Sequence, residues 1–243
     1  LTKQAESDNP DSKGVRVVSA TKILGNGIYG FAEAGRLTHV NPRTVRAWFR
    51  GRTKHGARIG RGPVFKSQYD EDSAISFLDL IEVLVAGNLR TAGVPLASIR
   101  RSFAAISKHL ADSHPFSREE IVTDGQHIFL HTAGDDSDDQ LVELFQRQHF
   151  FHKVMKPYLL RVQYDKNTKL AKSWQIMDGV VVDPARSFGK PLVESAGIAA
   201  SILAASYFSN GENADAVADW YGVASEDVEV AARFSENYAG RTG

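Results

Sequence analysis

Apolar residues recur at helical spacing in three separate stretches of the chain, with polar and turn-forming residues between them. In the first, Phe31, Ala34 and Leu37 mark one face of a short helix. Thr38-His39-Val40-Asn41 interrupts the pattern, and Val45, Trp48 and Phe49 supply the face of a second helix. Asn41-Pro42 gives that second helix a capping residue followed by proline at its first position. Val40 is expected to be buried in the turn.

The second stretch covers residues 73–110. Phe77, Leu80, Ile81, Leu84 and Val85 form a stripe that ends at Gly93-Val94-Pro95, and Ile99, Phe103 and Ile106 continue it in another helix. The third covers the last sixty residues. An extended segment from Asp183-Pro184 to Lys190-Pro191 leads into helices expected at residues 195–208 and 213–220 and from Ser225 onward. Asn210-Gly211 stops the first of these, and Ser225 caps the third with Glu226 and Asp227 in its favourable first turn. Ile198, Ile202, Leu203, Val217, Trp220, Val228, Val230 and Phe234 are its expected core.

Between the second and third stretches the pattern changes to short alternating runs. Residues 120–131 are predicted to form a hairpin around Asp124-Gly125, a two-residue turn signal. Residues 158–164 and 170–177 flank a second turn at Asp165 to Lys169, and Val180-Val181-Val182 adds a strand. The acidic run from Asp135 to Asp139 lacks the glycine and closing glutamate of a calcium loop, and reads as a solvated cap for a helix starting near Gln140. The expected architecture is mainly α with small β hairpins, an α+β class. Its parts are a flexible lead-in at residues 1–26, a winged helix–turn–helix at 27–115, a hairpin and helix connector at 116–177, and a trihelical unit at 178–243.

Charge sharpens this division. The 243 residues carry 29 Lys and Arg against 29 Asp and Glu, a net charge of zero. Yet residues 36–66 hold nine bases and no acid, and residues 178–243 hold ten acids against four bases. Two surfaces with different partners are expected. A DNA reader needs a short helix held at the major groove by a second helix, cations for phosphates and Arg forks for guanine edges. Residues 42–50 meet these needs. Arg43, Thr44, Arg46, Arg50, Arg52, Lys54, Arg58 and Arg61 are the expected DNA-binding residues, the last four in a glycine-rich wing or loop suited to tracking phosphates.

The chain contains no cysteine. That removes disulfides, thiolate nucleophiles and Cys-based zinc or iron–sulfur sites, and a cytoplasmic setting is expected. The polar N-terminus shows no signal-peptide pattern, and the longest apolar run, residues 196–208, is too short to cross a bilayer, which takes roughly 20 residues. His127 with His131 and His149 with His152 have metal-compatible spacing, but no third ligand type clusters beside either pair. Neither a metal nor a cofactor is expected. No catalytic constellation is visible, so the chain is not expected to be an enzyme.

Residues 29–51, followed by residues 77–106 with Leu89-Arg90 through Gly93-Val94 to Ile99, resemble the MerR-type winged helix–turn–helix. The 52–72 segment is a long insert relative to that pattern. Asp183-Pro184, Phe188-Gly189-Lys190-Pro191 and the helices after them resemble a small trihelical domain of VapB-type antitoxins, whose toxins are PIN-like ribonucleases. The two resemblances together imply an antitoxin that binds and neutralises a cognate PIN-like, VapC-type ribonuclease and represses its own operon as a homodimer on operator DNA. Arg186, Lys190, Arg233 and Arg241 are the candidate toxin-binding residues, since a guanidinium or ammonium can displace a metal from a carboxylate cluster. The alternative is a stand-alone MerR-like regulator that senses a small ligand.

Overall fold

The computed structural model describes residues 25–54, 57–60, 62–69, 73–135 and 155–239. The helix–turn–helix comprises α1 (Phe31–Thr38) and α2 (Pro42–Arg50). Asn41 caps α2, its Oδ1 accepting from the Arg43 N–H at 2.9 Å. The turn is very tight. A Cβ on Gly35 would lie 2.5 Å from the Val40 carbonyl oxygen and 2.9 Å from Pro42 Cγ. Val40 is half-buried there against Gly87, whose own added Cβ would lie 2.5 Å from Val40 Cγ2. Ala34, Leu37, Val45, Trp48 and Phe49 are all buried, as their spacing predicts.

After α2 the chain forms an antiparallel ribbon of β2 (Arg52–Lys54) and β3 (Ala57–Ile59), with Arg52 opposite Ile59. A second pair joins β1 (Tyr29–Gly30) to β4 (Ala74–Ile75). Helix α3 (Phe77–Thr91) begins with a reciprocal capping box between Ser76 and Asp79, and α4 (Leu96–Leu110) follows after Gly93-Val94-Pro95. The stripe of α3 is buried throughout, together with Ile99 and Ile106 of α4. Rings connect the layers: Trp48 and Phe49 meet Phe65, which meets Phe103, then Phe116, then Phe129, with centroids 4.9–5.9 Å apart.

The predicted hairpin at 120–131 is not formed. That segment is helical, α5 (Glu120–Thr123) followed by α6 (Gly125–Asp135). Ile121, Gly125, Ile128 and Phe129 are buried at helical spacing, and Asp124 ends α5 rather than making a β-turn. Asp135 ends α6; the rest of the acidic run, with His149 and His152, lies outside the described residues.

After α7 (Lys156–Leu159), five strands form an antiparallel meander. They are β5 (Val162–Tyr164), β6 (Ala171–Met177), β7 (Val180–Val182), β8 (Leu192–Val193) and β9 (Ile198–Ala199). Asp165 makes the first turn, its Oδ1 accepting from the N–H groups of Asn167 and Thr168. The boundary expected at residue 178 falls in the turn between the paired strands β6 and β7.

Helices α8 (Ala200–Ser209), α9 (Ala214–Tyr221) and α10 (Ser225–Ala239) complete the chain. The first starts five residues later than predicted, because Leu192–Val193 pairs with Ile198–Ala199 around a turn that ends at Gly197. Leu203, Val217, Val228 and Phe234 are buried as expected, but Ile202 and Trp220 are 48% and 65% exposed. The main apolar cluster runs from Tyr29 in β1 to Phe234 in α10, and a second, smaller one of Val217, Ala218 and Val228 holds α9 to α10.

Candidate nucleic-acid interface

The N-terminal end of α2, the start of the ribbon and the start of α4 enclose an open cleft of about 650 Å³. Arg43, Thr44 and Arg52 line one side, and Leu96 and Arg100 the other. Trp48 closes the floor. Its carbonyl accepts from the N–H groups of Val64 and Phe65, which folds residues 62–65 back against α2. The Arg100 guanidinium donates to the Pro63 carbonyl and so fixes the α4 side to the same strip of backbone. Three guanidinium groups border the cleft, and among the described residues no carboxylate lines it. An anionic polymer lying along α2 would meet them in series.

The eight predicted DNA-binding residues divide. Arg43, Thr44 and Arg52 share the cleft. Arg46 is exposed on α2 outside that wall. Arg50 folds back, its guanidinium carbon 5.9 Å from the centre of the Phe31 ring, so it braces α2 against α1. Lys54 and Arg58 lie on β2 and β3. Arg61 lies outside the described residues. Arg100 was missed, although the adjacent Arg100-Arg101 pair after Gly93-Val94-Pro95 was a visible signal.

The candidate toxin-binding residues are not gathered into one cluster by any contact among the described residues. Lys190 pairs with Glu33 of α1, its Nζ 2.8 Å from both carboxylate oxygens. Arg233 pairs with Glu229 one turn back on α10 at 3.5 Å. Arg186 is exposed, and Arg241 lies outside the described residues. The segment that carries Arg186 and Lys190 docks onto the N-terminal unit. Phe188 O accepts from the Ile28 N–H at 3.2 Å, and Gly189 O accepts from the buried Tyr29 hydroxyl at 2.8 Å. Burial, with Glu33 nearby, pushes the Tyr29 phenol well above its ordinary pKa, so it stays a donor. On the far end of α1, His39 stacks on Tyr238 of α10 with ring centres 5.1 Å apart.

Two carboxylates are buried behind the cleft on α3. Asp79 Oδ2 accepts from the N–H groups of Ser76 and Gln68, and its Oδ1 lies 3.3 Å from His114 Nε2. Glu82 Oε1 accepts from the Phe116 N–H at 3.1 Å, whereas its Oε2 meets no hydrogen-bond partner among the described residues. Burial, then the Asp79 charge, pushes the Glu82 carboxyl well above the ordinary carboxylate range. Among the described residues no three His, Asp or Glu side chains are placed together to hold a metal ion. His127, expected on a strand, is on α6 and contacts Asp124 at 2.7 Å. No described helix is long and apolar enough to cross a membrane.

Residues 27–103 match the family model described as "Putative DNA-binding HTH domain". Over 225 residues the chain is 27% identical to the Mycobacterium tuberculosis protein named "Putative antitoxin VapB45", covering 84% of this chain and 92% of that one. The fold is similar to the crystal structure of Rv2018 from Mycobacterium tuberculosis, with a TM-score of 0.66 and 26% identity over 84% of this chain and 96% of that chain. Residues 27–103 thus form a helix–turn–helix unit of a DNA-binding kind, in a chain similar over most of its length to a protein named as an antitoxin.

Proposed function

We propose that this protein is a VapB-type antitoxin and non-enzymatic regulator. It binds operator DNA through α2 and the β2–β3 ribbon, as the MerR-like resemblance implies, and captures a PIN-like ribonuclease through residues 178–243. It represses its own operon as a homodimer, each copy reading one half of a two-fold site. Arg186, Lys190, Arg233 and Arg241 remain the cations available for a carboxylate cluster on the nuclease. The observation that carries this reading is the joining, in one core, of a cationic helix–turn–helix to an acidic C-terminal unit, within a chain similar to a named antitoxin.

The test is co-expression of the full chain with the product of the adjacent gene, followed by co-purification and assay of RNA cleavage and operator binding. A stable complex with silenced cleavage and retained operator binding is expected. A nuclease that neither binds nor is inhibited overturns the reading.

One observation favours a second reading, a regulator that senses a small ligand. A cleft of about 290 Å³ lies between α1 and α10, lined by Glu33, Arg36, Lys190, Phe234 and Tyr238 among others. A saturable melting shift with a metabolite, and no protein partner, is the outcome that reading requires.

A further inference from the structure

Helix α8, ASILAASYFS, has no charged residue on any face. Apolar side chains of such an uncharged helix are expected to be covered, yet only Ala200, Leu203 and Ala204 of α8 are buried. Ile202 is 48% exposed and Phe208 41% exposed. The neighbouring α9 turns Val217 and Ala218 inward and leaves Trp220 and Tyr221 outside, 65% and 38% exposed. The two exposed faces are joined, because the Tyr221 hydroxyl lies 2.9 Å from Ser206 Oγ, one turn along α8 from Ile202. These side chains follow the sequence pattern of a core and stand in water. Exposed apolar and aromatic side chains of this kind mark a docking site, and Trp and Tyr are the residues most often at the centre of one.

Charge selects the occupant. From Pro191 to Ala232 there is no Lys, Arg or His, while Glu194, Glu212, Asp215, Asp219, Glu226, Asp227 and Glu229 fall in that span. Asp215 and Asp219 are exposed one turn apart on α9, beside Trp220, and Glu212 is exposed in the turn before them. A second copy of this face would bring those carboxylates against their own images, which costs affinity. A nucleic acid would meet no cation. A basic protein surface is complementary.

Resting on the antitoxin reading, we propose that the outer face of α8 and α9 docks on the cationic RNA-binding surface of the partner ribonuclease. Any protein that holds RNA presents cations for phosphates and platforms on which bases stack. Here carboxylates take the places of phosphates, and Trp220, Tyr221 and Phe208 the places of bases. Neutralisation is then competitive with RNA.

The experiment measures binding of full-length wild type, Trp220→Ala and the double variant Asp215→Asn/Asp219→Asn to the purified neighbouring nuclease, at two salt concentrations. A non-cleavable RNA oligonucleotide serves as competitor, and operator binding monitors folding. Trp220→Ala is expected to weaken nuclease binding about thirtyfold or more, as truncation of a central anchor does. The carboxylate variant should bind more weakly and with a flatter salt dependence, both variants should keep operator affinity, and the oligonucleotide should displace wild type. Unchanged nuclease affinity in both variants, or nuclease holding RNA and the chain together, overturns the assignment while leaving the antitoxin reading intact. So does Trp220→Ala turning a dimer into a monomer without affecting nuclease binding. Wild type that fails to bind the nuclease overturns the antitoxin reading and this assignment with it. If either variant loses operator binding, Phe208→Ser and Ile202→Ser on α8 provide the same comparison.

Discussion

The ammonium of Lys190 sits 2.8 Å from both carboxylate oxygens of Glu33, joining the segment before α8 to the first helix of the DNA-binding unit across 157 residues of sequence. The Lys190 side chain is 47% exposed, so solvent screens the pair and it is worth less than about 1 kcal/mol. The nearby Tyr29–Gly189 hydrogen bond is buried and does more. Tyr29→Phe leaves the Gly189 carbonyl without its donor and should cost about 1–2 kcal/mol, against a few tenths (roughly 0.3–0.5 kcal/mol) for Lys190→Met. Urea midpoints of the two variants and their double mutant check this; a larger loss for Lys190→Met would refute it.

The turn of the helix–turn–helix depends on one missing side chain. A Cβ on Gly35 meets backbone at Val40 and the ring of Pro42, neither of which can rotate away. Gly35→Ala should destabilise the protein by about 1–3 kcal/mol and depress operator binding. Gly62→Ala is the matched control, since nothing lies within 4 Å of its added Cβ; its midpoint should stay within about 0.5 kcal/mol of wild type.

Cations of the cleft should separate by role when operator affinity is titrated against salt. Arg52→Ala should weaken cognate and unrelated DNA alike and reduce the slope of log K against log salt by about 1. Arg43→Ala, at the start of α2, should cost about 1–3 kcal/mol and relax sequence preference. Arg50→Ala acts through its packing on Phe31, so it should lower the melting temperature more than the salt slope. A full unit lost from the slope by Arg50→Ala would contradict its placement.

Acidity should divide Glu82 from Asp112 and Glu120. Glu82 has its folded pKa raised, chiefly by burial. Its contribution is full below the ordinary carboxylate pKa and is lost as pH rises through the folded value. Asp112, which accepts from the His114 N–H and then from Arg118, and Glu120, which accepts from Arg118, have theirs lowered. Their contribution is present above the ordinary carboxylate range and is lost as pH falls through the lowered values. Glu82→Gln keeps the acceptor for the Phe116 N–H and removes the titration, so its melting temperature should exceed that of wild type at pH 8. The gain should shrink as pH falls toward about 4, where an ordinary glutamate takes up its proton. A pH-independent difference would be the wrong result.

Much of the cationic half could be read from spacing alone. Ala34, Leu37, Val45, Trp48 and Phe49 write their burial directly in period and proline placement, because a short two-helix unit is governed by contacts close in sequence. The 120–131 segment was misread because Asp124-Gly125 is a strong hairpin signal. It outweighed a helical stripe of Ile121, Ile128 and Phe129 that was equally present. Ile202 and Trp220 are exposed against expectation for the opposite reason: their pattern is that of a core, and periodicity alone does not reveal whether the chain itself covers an apolar face. The docking of Gly189 on Tyr29 was beyond reach, since 160 residues separate them and each looks locally like an ordinary turn or strand residue.

The unbroken apolar cluster from Tyr29 to Phe234 has a consequence for how the protein is dismantled. Removing residues 178–243 would strip β7 from β6 and α10 from α1, so the remaining piece would present raw sheet edge and bare core rather than a tidy half. Inside a cell, a protease that works open either end meets a cooperative object. Grip on DNA and the acidic aromatic face would then share one lifetime, ending in the same degradative event.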